Sequence, residues 1–167
     1  MDKFFELIIR HASPNTGKYK NYSYVVEAIN YSEAETNGYK IILAEELRDA
    51  SIERITKLEI GNVYKRDLDE PSDCEDNFYC QIKSVQIGID ERSGKEIVID
   101  KYQHLVLTND FPSVVEFIIG TFGSTEDVRI MSQKMTNVYR VYFHDELSDM
   151  PSPALVTGVD VVTETDI

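Results

Sequence analysis

Basic and aromatic side chains alternate along several strand-like runs of this chain, a combination suited to holding a single-stranded nucleic acid. Lys18, Lys20, Tyr22 and Tyr24 fall on alternate positions of one run, while Lys83 lies near Tyr79 and Lys101 beside Tyr102 on two others. Arg54, Lys57, Arg129, Lys134 and Arg140 follow on later strands, with Tyr139 and Tyr142 close by. Lysine and arginine neutralise phosphates, and each base stacked on an aromatic face contributes about 1–3 kcal/mol. Tyrosine also fits a half-buried pleated surface, so each of these rings has an ordinary packing role as an alternative.

The elements that must position these residues are legible in outline. Residues 78–108 read as two β-branched and aromatic arms around Asp90-Glu91-Arg92-Ser93-Gly94-Lys95, a hairpin with its glycine after polar residues. Tyr79, Val85, Ile87 and Ile89 share one face of the first arm, and Ile97, Ile99, Leu105 and Leu107 are assigned to one face of the second. A helix over 110–121, capped by Asp110, is expected to cover that apolar face. The same grammar opens the chain: strand 3–11, a turn at Ser13-Pro14-Asn15-Thr16-Gly17, strand 18–29 and helix 32–47, with Ser32 and Glu35 spaced as a capping box. Strands 51–60 and 127–143 complete an α+β reading. It consists of two tandem strand-strand-helix-strand units, 3–65 and 78–143, joined by an acidic connector 66–77 and followed by an acidic tail 144–167. Aligning Thr16-Gly17-Lys18 with Ser93-Gly94-Lys95, and Asn62-Val63-Tyr64 with Asn137-Val138-Tyr139, sets the units 75 to 77 residues apart.

The net charge of −13 is unevenly spread. Residues 1–66 carry ten basic and ten acidic side chains, and 77–143 seven and eight, whereas 67–76 hold six acids and 144–167 another six, with no base in either. Nearly neutral units imply weak or cooperative binding of any polyanion, because affinity grows with the phosphates neutralised. The connector reads as a solvated linker without the ligand register of a calcium loop. The tail reads as extended, and Asp160, Glu164, Asp166 and Ile167 near its end are candidate docking residues for a partner protein.

Catalytic and metal chemistry find little support. No glycine loop cradles a phosphate, and His11, His104 and His144 lack metal-ligand spacing to each other or to cysteine. Cys74 and Cys80 read as inert thiols. The expectation is a non-enzymatic protein with no cofactor and no metal. No apolar run spans a bilayer, and the opening residues lack the pattern of a signal peptide, from which a cytoplasmic location is expected.

The block Tyr24-Val25-Val26-Glu27-Ala28-Ile29-Asn30-Tyr31-Ser32-Glu33-Ala34-Glu35, with Phe4-Phe5 before it and Ile89-Asp90-Glu91-Arg92-Ser93-Gly94-Lys95 after, resembles an uncharacterised domain family of gut Bacteroidetes and their phages. The resemblance covers roughly residues 3–143. It implies a relation to whirly-like single-stranded-DNA-binding proteins among replication genes, and it transfers no diagnostic binding motif. The expected function is therefore a single-stranded-DNA-binding protein of a phage or bacterial replication or recombination system, with its tail docking other proteins. The alternative is a phage interaction or virion module without nucleic-acid binding, and exposed sheet edges suit self-association in either case.

Overall fold

The computed structural model describes residues 3–123 and 127–152. Strands β1 (Lys3–Ala12) and β2 (Tyr19–Ala28) form an antiparallel hairpin, followed by α1 (Tyr31–Ala44), β3 (Ser51–Lys57) and β4 (Asn62–Tyr64). A longer hairpin, β5 (Phe78–Ile89) with β6 (Glu96–Thr108), precedes α2 (Phe111–Phe122), β7 (Asp127–Met135), β8 (Val138–Tyr142) and α3 (His144–Ser148). The architecture is α+β, with two four-stranded sheets ordered β3-β1-β2-β8 and β4-β6-β5-β7.

The chain divides into two compact units, one of 1–58 with 140–167 and the other of 59–139. In each sheet the third strand pairs antiparallel with the first strand of the hairpin, β3 with β1 and β7 with β5. A short strand lies outside the second, β8 beside β2 and β4 beside β6. The strand expected over 127–143 is thus two strands broken at Thr136-Asn137. Its second part joins the first sheet, and β4, which follows β3, joins the other. The units consequently divide at 58/59 and 139/140 rather than at 65 and 78.

Both hairpin turns solve the same problem in the same way. Gly17 and Gly94 adopt φ of 73° and 71°, a left-handed conformation open to glycine at no steric cost. Their N–H groups donate to Ser13 and Asp90 carbonyls, both at 2.8 Å.

Helix α2 starts where expected. Asp110 accepts a hydrogen bond from the Ser113 N–H at 2.8 Å. It packs Val114 and Ile118 onto Cys80, Ile82, Val106 and Val128, so it covers the sheet face opposite to the one expected. Alternation could not decide between the faces, because Tyr79, Leu105 and Leu107 on the other side are buried as well. Helix α1 is capped by Asn30, two residues before the expected cap. Asn30 Oδ1 accepts from Glu33 N–H at 2.8 Å, and Glu33 Oε1 accepts from Ile29 N–H at 3.0 Å, leaving Ser32 inside the first turn.

The acidic segments also differ from expectation. Within 66–77, Glu70 is buried, with Oε2 accepting from the Tyr79 hydroxyl at 2.7 Å and Oε1 paired with Lys65 at 2.6 Å. The connector is thus folded onto its own unit by one carboxylate that found two partners. Residues 144–148, expected as extended tail, form α3 with Leu147 buried. Asp160, Glu164, Asp166 and Ile167 lie outside the described residues. Cys74 and Cys80 are free thiols.

Candidate functional site

Cross-strand register sorts the basic residues of the second sheet. Lys83 faces Gln103 on β6 and Ser132 on β7, Val85 faces Lys101 and Arg129, and Gln81 faces Lys134. Opposed residues project from the same side of a sheet, and alternate residues of a strand do likewise. Lys83, Lys101, Arg129 and Lys134 therefore share one face, the one turned away from α2. A bulge at Gln86/Ile87 shifts the parity of β6 beyond Asp100, which moves Ile97 to the helix side and leaves Lys101 and Gln103 on this one.

Part of this face is closed and part is open. Tyr79, Leu105 and Leu107 are buried, whereas Lys83, Lys101, Arg129 and Lys134 are exposed. Over the open part runs a groove of ≈ 720 Å³ that crosses the sheet, from Glu59 and Gly61 past Lys101 and Lys83 to Met131. Among the described residues no side-chain partner is found for the ammonium groups of Lys83, Lys101 or Lys134. Arg129, by contrast, is held by Glu96 through two hydrogen bonds and by Asp127 at 3.2 Å. That pairing draws Glu96 below the usual carboxylate range and pushes Arg129 up.

The aromatic residues take other roles. Tyr102 lies on the helix side, where its hydroxyl donates to Gln86 at 3.1 Å and its ring stacks near Phe122 at 5.8 Å. His104 completes that cluster, within 3° of parallel to Phe122 and edge-on to Tyr64. It is buried, its two ring nitrogens have no hydrogen-bond partner among the described residues, and burial lowers its pKa. Tyr24 is buried in the first sheet, and Tyr22 stacks on His11 at 4.1 Å with Lys20 above it. These rings have packing partners within the fold, and their alternation along the strands does not bring them onto the open face that carries Lys83 and Lys101.

The remaining candidates are dispersed. Lys18 sits in the first hairpin turn, Arg54 is opposite Ile8 and Lys57 opposite Phe5, so the last two project from different faces. Tyr139 and Arg140 lie on β8, with the Arg140 guanidinium over Tyr142 at 5.6 Å. The groove is also lined by Gln103, Val85, Met131 and Glu59, none of which was among the binding candidates read from the sequence. Gln103 and Val85 did carry a signal, since they alternate with Lys101 and Lys83.

Among the described residues, no three histidine, cysteine or acidic side chains gather as metal ligands, and no helix is long and apolar enough to cross a membrane. Residues 3–144 match a domain family described as a domain of unknown function, DUF4494. The chain belongs to this family. None of the curated proteins matches the sequence. In this DUF4494 domain four of the basic residues named from the sequence, Lys83, Lys101, Arg129 and Lys134, share the open face of the second sheet.

Proposed function

We propose that this DUF4494 protein binds single-stranded nucleic acid without catalysis, through the phosphate backbone, on the open face of its second sheet. The observation that carries the reading is the pair Lys83 and Lys101, two ammonium groups that share one groove with Glu59 and have no ion-pair partner among the described residues, in a chain whose net charge is −13. An acidic protein that leaves ammonium groups unpaired in a concavity keeps a local site for an anion. Gln103 beside Lys83 adds an amide able to bond a phosphate oxygen or a base edge. In the same reading, the tail docks replication or recombination proteins of a phage or bacterium in the host cytoplasm. The corresponding strand orders of the two sheets then reflect a tandem duplication, akin to whirly-like proteins.

The test is fluorescence anisotropy of a labelled single-stranded oligonucleotide against the full chain and a truncation after Ser152, over a salt series. Binding should tighten when the tail is removed and weaken steeply with salt. Substituting Lys83 and Lys101 by glutamine should lower the slope of log K against log salt by about 1.4, at roughly 0.7 for each phosphate no longer neutralised. Absence of binding by both the full chain and the truncation at micromolar concentration and low salt would overturn the reading.

A protein-interaction role is the second reading, favoured by the end of the β5–β6 hairpin. Ile89, Ile97, Val98 and Ile99 are all exposed there, Ile89 at 61%. Such an apolar end suits contact with another protein or a second copy of this chain.

A further inference from the structure

This inference rests on the nucleic-acid reading and concerns Arg129, the one basic residue of the open face that is ion-paired among the described residues. Arg129 is opposed to Val85, and Val85 to Lys101, so the three form one cross-strand row. Its backbone stands two strand spacings, roughly 10 Å, from that of Lys101. Val85 and Lys101 line the groove, and Arg129 stands on the next strand of the same row, outside the lining residues, with its guanidinium held by Glu96 and Asp127. Its partners are not buried. The side chains of Glu96 and Asp127 are 53% and 56% exposed, and that of Arg129 is 47% exposed.

We propose that Arg129 is a reserve phosphate ligand, masked by Glu96 and Asp127 acting as built-in counter-ions. A phosphodiester presents a guanidinium with the same forked pair of oxygens as a carboxylate. A strand lying in the groove then competes with Glu96 and Asp127 for the same donors, and a displaced carboxylate at the surface is rehydrated. While the carboxylates hold, the face offers Lys83, Lys101 and Lys134. Once they yield, it offers a fourth and bidentate ligand. The ion pair thus sets how tightly the face grips a polyanion, without taking part in the fold's core.

The test compares wild type, E96Q, E96Q/D127N and E96Q/D127N/R129Q by anisotropy with labelled oligodeoxythymidine over a salt titration, with thermal melts checking that each folds. The double variant should bind at least five-fold more tightly at low salt. Its log K against log salt slope should steepen by about 0.7, the value of one further phosphate neutralised on a single strand. E96Q alone should lie between, and adding R129Q should return the slope to the wild-type value. Wild-type binding with an unchanged slope in the folded double variant would overturn the inference and leave the nucleic-acid reading standing. If a slope gain survived addition of R129Q, general loss of negative charge would be its cause and the inference would likewise fall. No binding by any of the four proteins would remove both.

Discussion

His11 Nε2 is hydrogen-bonded to the Tyr24 hydroxyl at 3.1 Å, on the helix-facing side of the first sheet. The other ring nitrogen fixes the direction. Nδ1 lies 3.0 Å from the Ala12 carbonyl, which can only accept, so Nδ1 carries the proton and Nε2 accepts from Tyr24. Burial lowers the histidine's pKa and keeps the ring neutral, as this pattern requires. Replacing Tyr24 by phenylalanine should cost about 1–3 kcal/mol, the penalty for leaving a buried acceptor unpaired. Urea denaturation would measure it, and a change near zero would show that Nε2 finds water or another donor.

Acid should weaken the fold before its carboxylates titrate. His11 and His104 both have pKa values lowered by burial, and an unfolded histidine titrates near 6.5. Their neutral forms stabilise the fold fully above about pH 6.5, and that contribution shrinks as pH falls towards the folded-state values. The slope is at most about 1.4 kcal/mol per pH unit for each ring. Melting temperatures between pH 7.5 and 5 should fall for wild type and fall less steeply for His104→Phe. A flat wild-type profile would mean that both rings can charge without leaving their places.

The connector should loosen when its buried carboxylate loses a partner. Tyr79→Phe removes the donor to Glu70 Oε2 and should destabilise the protein by about 1–3 kcal/mol. Amide exchange over 68–77 should accelerate more than exchange in β6. Uniform acceleration would instead mark the bond as part of the unit's global stability.

Cap substitutions should separate Asn30 from Ser32. Asn30→Ala and Asp110→Ala each remove a side-chain acceptor from a helix start and should cost about 1 kcal/mol. Ser32→Ala should stay within about 0.5 kcal/mol of wild type, as for a surface position without a special feature. Chemical denaturation of the three variants decides which residue caps α1.

Local signals identified the hairpins, the turn glycines and the Asp110 cap, because these depend on residues close in sequence. The side covered by α2 was not legible, since β5 carries Tyr79 on one face and Cys80 with Ile82 on the other, all apolar. The placement of β4 and β8 was hidden for a different reason. Each is a short run whose partner strand lies far along the chain, and nothing local marks which hairpin it joins. On the second sheet, strand alternation combined with the hairpin register places Lys83 and Lys101 on one face. The tyrosines could not be sorted without knowing that Tyr24 would meet His11 and Tyr102 would meet Phe122.

The position of β8 beside β2 has a consequence for synthesis. As the chain leaves the ribosome, the β1–β2 hairpin and α1 are available early, but the strand that completes the outer side of β2 is translated only after 29–137 has been made. At about 5–20 residues per second, that delay is on the order of ten seconds. Throughout it, the nascent hairpin presents a bare strand edge of the kind that recruits other chains. A cell making this protein in quantity therefore has a time window to guard as well as a surface.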